Sequence, residues 1–224
     1  MKYFVTEIVK DIRKALELNN ESQALIEVDD IDTLSLNDIG ESKVLDAVRF
    51  ITENAPLHLV GSGTILDGGI FWIDGVEAIG AGRMILPDDF LRLINFQMSS
   101  WIKPAKLITE DDPEYALQWS RHMGLKGNPE APVVAICHYP EGITLELFSC
   151  DGGDSEYIKK ASYLAEPTVD SHGLIDIPTK LYKAVVYYGA YLVSLAYGNV
   201  GVSNALLKEA YSFAEMTMPT AEQG

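Results

Sequence analysis

Between Lys183 and Lys208 the chain carries no charged residue. The dense part of this run, residues 184–197, is broken by Gly198-Asn199-Val200-Gly201. That is well short of the ~20 apolar residues that span a bilayer, so it reads as a buried helix and no membrane is called for. Leu181, Val185, Tyr188, Leu192 and Leu195 recur at steps of three and four behind Pro178, which suits a first helical turn. Because the flanks are apolar too, the helix has more surface to bury than one neighbour covers, and other helices must enclose it.

The N-terminal segment supplies one such helix. Val5, Ile8, Val9, Ile12 and Leu16 share a face, and the pattern ends near Asn19-Asn20. After an acidic linker, Ser42 is placed as N-cap of a short second helix through Val44, Leu45, Val48 and Ile51, which Asn54-Ala55-Pro56 stops. Ser203 is expected to cap the last helix, with Val202 and Leu207 as its hydrophobic staple.

The middle is punctuated differently. Gly61, Gly63, Gly68, Gly69, Gly75, Gly80 and Gly82 divide short apolar runs, and residues 70–79 read as a hairpin turning at Asp74-Gly75. A second hairpin joins residues 132–136 to 143–148 through Tyr139-Pro140-Glu141-Gly142. Residues 86–94 mix a helix-like start, Pro87-Asp88-Asp89, with strand-like residues behind it, and 115–123 fit either a helical turn or a strand. The expected fold class is α+β, a single domain over 1–224. Its N- and C-terminal helices (1–55 and 176–218) form a bundle with a β-rich insertion (56–175) in the middle, and the tail from Met218 frays.

Charge excludes some functions. The chain has 33 Asp+Glu against 17 Lys+Arg, a net −16, and no run of more than two basic residues, so a surface that grips nucleic acid is not expected. Met1 to Glu7 offers no secretory signal. Cys137 and Cys150 read as free apolar thiols. His58, His122, His138 and His172 form no helical metal pair, and Cys137 and His138 point to opposite faces of a strand. Asp30, Asp32 and Glu41 fall at calcium-loop positions 1, 3 and 12, but Leu34 and Ser35 stand where an oxygen ligand and a glycine belong. The turn of residues 151–154 is a second acidic loop of this kind. No catalytic residue, cofactor or metal is assigned. Tyr182, Tyr187, Tyr188, Tyr191, Tyr197 and Tyr211 crowd the last two helices, as either a protein interface or a helix–helix core.

The order of these segments resembles the head-to-tail adaptor proteins of tailed bacteriophages. The resemblance runs through Leu36-Asn37-Asp38, residues 46–51, and residues 86–93 followed by Met98 and Trp101. It continues through residues 177–192 and a last helix ending Tyr211-Ser212-Phe213-Ala214, and Leu-Pro-Asp-Asp-Phe at 86–90 is its most specific piece. It implies a virion protein of the neck or tail, made in the host cytoplasm, in a homo-oligomeric ring of about twelve copies under the portal. Portal and other neck or tail ring proteins would be its partners, DNA would pass its lumen without specific binding, and no catalysis is implied. Candidate interface residues are Tyr187, Tyr188, Tyr191, Tyr197, Tyr211, Phe90 and Trp101. The glycine-rich hairpin near residues 70–79 and the acid excess depart from the family pattern. The alternatives are a soluble calcium- or ligand-binding module, or an enzyme whose nucleophile the sequence does not reveal.

Overall fold

Helix α1 (Val5–Leu18) forms where the apolar spacing places it and buries Ile8, Val9, Ile12, Ala15 and Leu16. These coordinates are a computed structural model that describes residues 1–18, 31–73, 80–120, 122, 124–150 and 155–218. Helix α2 (Ile31–Asn54) is far longer than the short helix expected from a cap at Ser42. Ser42 lies inside it, where its hydroxyl donates to the Ile39 carbonyl at 2.7 Å and so serves the helix instead of starting it. The helix ends ahead of Pro56, as expected. A single turn, α3 (Leu57–Val60), follows.

The contacts divide the chain into two compact units, Met1–Gly61 with Glu166–Gly224, and Ser62–Ala165. In the first, strand β1 (Lys2–Phe4) pairs antiparallel with β10 (Leu174–Asp176), Lys2 opposite Asp176. A 3-10 turn at Thr179–Leu181 leads into α5 (Tyr182–Ala196), and α6 (Val200–Phe213) follows after three residues. Helix α5 packs against α1, α2 and α6 and buries Ala184, Val185, Val186, Gly189, Ala190, Val193 and Ser194. At Gly189 a Cβ would sit 2.6 Å from Ile12 Cδ1, so α1 and α5 approach each other as closely as they do because no side chain separates them.

The second unit holds β2 (Thr64–Ile65), β3 (Phe71–Trp72), β4 (Gly82–Ile85), β5 (Phe90–Met98), β6 (Lys106–Thr109), α4 (Pro113–Gln118), β7 (Val133–Tyr139), β8 (Gly142–Leu147) and β9 (Ile158–Ala165). They make a three-stranded sheet, β2-β9-β5, and a five-stranded sheet, β3-β4-β8-β7-β6. The hairpin expected at 132–148 is β7–β8. Strand β3 pairs with β4, Trp72 opposite Gly82, while Asp74-Gly75 and residues 76–79 lie outside the described residues. The ambiguous segment resolves as strand β5, which pairs with β9. Strands β6 and β7 run parallel, so a crossover must join them, and α4 lies within it. One core draws Met84, Leu145 and Leu147 from the larger sheet and Phe90, Leu93, Phe96 and Tyr163 from the smaller, so the two pack face to face. The other face of the larger sheet carries Ile108, Val133, Ala135, Cys137 and Phe148, with Tyr115 and Trp119 packed on it.

The expected fold class is therefore corrected. The protein is mixed α and β, with six α-helices and three sheets among the described residues and strands richest in the middle. Helices α3 and α4 lie within the stretch expected to be β, α4 because Pro113 suits the first turn of a helix. Conversely, β1 lies in the N-terminal stretch expected to be helical and pairs with β10 in a sheet of their own.

Candidate functional site

Five of the six crowded tyrosines find partners inside their own unit. Tyr182 donates to Asp11 Oδ2 at 2.7 Å and lies 4.4 Å from the Tyr3 ring. Tyr188 stacks on Phe50 at 4.3 Å, with Tyr191 5.3 Å beyond it. Tyr211 lies 6.4 Å from Phe50, and Tyr187 lies 5.2 Å from Phe213, over which Lys183 also sits. Burial pushes the Tyr188 phenol up to about 12. Burial, and then the bond to Asp11, push Tyr182 up as well. Phe90 and Trp101 are buried in the core of the other unit, where the Trp101 indole donates to the Ser149 carbonyl at 3.2 Å.

Tyr197 differs. It ends α5, is 52% exposed, and stands with Leu195 (43%) and Val200 (62%) at the joint between α5 and α6. This joint is fixed from within. Asn199, not the expected Ser203, caps α6, its side chain accepting from the Val202 N–H at 3.5 Å. Ser203 lies one turn inside, fully buried, with its hydroxyl 3.0 Å from that of Ser194 and 2.7 Å from the Asn199 carbonyl. Gly198 takes a φ of 74°, the left-handed conformation that lets the chain reverse.

Around Glu146 of β8, which has no exposure, lies a cluster that sequence reasoning missed. Arg83, opposite it on β4, brings Nε and Nη2 each to 2.8 Å from Glu146 Oε1. The Tyr139 hydroxyl donates to the same oxygen at 2.6 Å, and the Tyr115 hydroxyl to Oε2 at 2.8 Å. The guanidinium also lies 4.5 Å over the Tyr139 ring. Burial works against the Arg83 charge, but the hydrogen bond and charge of Glu146 outweigh it and its pKa rises. Burial, then the bond to Glu146, push Tyr139 up to about 12 and raise Tyr115 also.

Both carboxylate oxygens of Glu146 are thus occupied by donors, an arrangement that holds sheet and helix together instead of presenting a base. Cys137 shares this face. Burial pushes its thiol up to about 11, so it stays protonated at neutral pH, the state that suits packing and not nucleophilic attack. His138, on the opposite face as expected, is exposed and meets Glu110 Oε1 at 3.0 Å.

Of the two acidic loops, Asp30 and residues 151–154 lie outside the described residues. Among the described residues no group of three His, Cys, Asp or Glu could hold a metal, and no helix is long and apolar enough to cross a membrane. No protein-family model matches the chain, and no curated protein matches it.

Proposed function

We propose that this chain is a structural component of a tailed-phage virion, a head-to-tail adaptor whose copies close into a ring below the portal and let DNA through. The observation that carries the reading is the joint between α5 and α6. Leu195, Tyr197 and Val200 stand exposed on an uncharged turn that Ser194, Asn199 and Ser203 hold in place. An apolar knob already fixed in shape loses little conformational freedom when a partner covers it. A subunit that repeats one contact around a closed ring needs such a feature.

The order of segments along the chain supports the same reading, as does the use of Glu146 and Cys137 inside the fold. The net charge of −16 fits passage of DNA, since an acidic wall repels phosphates from every side. The test is electron microscopy and mass measurement of the purified chain, alone and mixed with the portal of its own phage. Rings or portal-bound particles are expected, and Leu195→Asp with Val200→Asp abolishes them while the circular dichroism spectrum stays unchanged. Persistent monomers that never join the portal overturn the proposal.

A further inference from the structure

The exposed joint between α5 and α6 has a counterpart at the far end of α6. Phe50, near the end of α2, and Tyr211, near the end of α6, lie 6.4 Å apart. With Pro56 and Met216, also half-buried, they wall a groove of about 420 Å³. Among the described residues the one charged residue lining it is Glu215, which meets His58 Nε2 at 3.0 Å. Asn54 Nδ2 donates to the Phe50 carbonyl at 2.8 Å, which leaves Asn54 Oδ1 as an acceptor with no partner among the described residues.

The groove is shaped before anything enters it. Helix α6 ends in a turn whose Met216 N–H donates to the Tyr211 carbonyl at 2.9 Å and whose Glu215 N–H donates to the Ser212 carbonyl at 3.2 Å. Such paired bonds close a helix around a left-handed residue and bring the residue after it back beside the last turn, here Met216 beside Tyr211. The left-handed residue is Glu215, with φ of 53°, a conformation a glycine would adopt more readily. Its pair with His58 ties that turn to α3.

The joint supplies what such a groove accepts. Leu195, Tyr197 and Val200 stand exposed within the uncharged stretch between Lys183 and Lys208, and the Tyr197 hydroxyl has no partner among the described residues. Copies of net charge −16 repel one another, so the least costly contact joins two surfaces that add no further charge. Helix α6, 14 residues at ~1.5 Å each, holds joint and groove roughly 20 Å apart, so no copy fills its own groove. We propose that Tyr197 of one copy inserts into this groove of the next, its ring against Tyr211 and Met216 and its hydroxyl on Asn54 Oδ1, with Leu195 and Val200 covering the rim. The inference rests on the ring reading and makes its contact head-to-tail, since two unlike surfaces that meet this way repeat from copy to copy and close where the rotation allows. An aromatic anchor seated in a preformed pocket carries a large share of an interface's binding energy.

Tyr197→Asp removes the anchor, and Asn54→Arg with Thr217→Arg bars the groove, all at exposed positions where folding is kept, as circular dichroism checks. In sedimentation velocity each variant alone is expected to self-associate at least about tenfold more weakly than the native chain. Their equimolar mixture joins one intact anchor to one intact groove and stops at dimers, because both outer ends of that dimer are disabled. A variant that associates like the native chain, or a mixture that grows past dimers, overturns the inference. So does a mixture without dimers, which gives the groove to the chain's own residues 219–224 or to no copy. Under mild oxidation, chains carrying Tyr197→Cys and chains carrying Thr217→Cys should link to each other, the buried native thiols staying out of the reaction. Links chiefly between two Tyr197→Cys chains would place the joints against each other and overturn it too. Failure of the ring reading is distinct, appearing as anchor-dependent dimers in the mixture while the native chain makes open filaments and never joins the portal.

Discussion

Arg83 and Glu146 bond to each other but do not stand in equal surroundings, and removing either one should cost a different amount. Arg83→Met keeps the aliphatic stem over Tyr139 but leaves Glu146, with no exposure, only the Tyr115 and Tyr139 hydroxyls. Stranding a buried charge by deleting its partner costs about 3–5 kcal/mol. Glu146→Gln retains shape and an acceptor oxygen, and the arginine side chain, 40% exposed, can turn to water. What is lost there is charge-assisted hydrogen bonding, about 1.5–3 kcal/mol. Arg83→Met is therefore expected to destabilise by ~2 kcal/mol more than Glu146→Gln.

Urea unfolding followed by tryptophan emission measures this directly. Trp72, Trp101 and Trp119 all lie in the Ser62–Ala165 unit, so the signal reports the unit that holds the pair. Combining both substitutions should recover part of the Arg83→Met loss, because no charge is then left stranded. If Glu146→Gln costs as much as Arg83→Met, or if the double variant shows no recovery, the asymmetry argument is wrong.

Three other perturbations test separate parts of the fold. The hydrogen bond from Lys2, then the Leu174 N–H, hold Asp170 near a pKa of about 2 against an ordinary 3.8. A depressed carboxylate stabilises above its unfolded pKa and loses that contribution as pH falls through the folded one. The melting temperature should therefore drop between about pH 4 and pH 2, and drop less in Asp170→Asn. Cys137 and Cys150 are both buried, so Ellman's reagent should find neither thiol in the native protein and both in urea, and a fast-reacting native thiol would contradict the packing. Gly189→Ala gains about 1 kcal/mol in helix propensity but forces its Cβ onto Ile12, an overpacking cost of about 1–3 kcal/mol. Net destabilisation in a thermal melt is expected, and Ile12→Val, which removes the Cδ1 methyl, should relieve it.

Periodicity and turn chemistry made some elements legible. Helix α1 is amphipathic along its whole length, and the β7–β8 hairpin has a turn that its residues favour. Ser42 and Ser203 misled because a serine at a helix start and one bonding back to a carbonyl within a helix look identical in sequence. Strand β5 was ambiguous because Pro87-Asp88-Asp89 imitates a helix start, while its true partner, β9, lies some 70 residues away. The Glu146 cluster was hidden for the same reason, since Tyr115 and Arg83 stand 31 and 63 positions from it. The one available signal was an acid between two leucines of an expected strand, Leu145-Glu146-Leu147. Of the tyrosines, composition showed the crowding, but only three-dimensional contacts separate exposed Tyr197 from those packed inside.

Pairing of β1 with β10 has a consequence for the timing of synthesis. Met1 and Asp176 meet across 175 positions, so at the ~5–20 residues per second of translation β1 leaves the ribosome roughly 10–35 s before its partner. Residues 62–165 emerge in full during that wait and can complete their own sheets first, while α1 and α2 stay without the helix that covers them. The order of maturation is thereby written into the connectivity, inner segment before outer. Because the α5–α6 joint belongs to the late-closing unit, a nascent chain offers no finished contact surface to its neighbours until the rest of the subunit is already made.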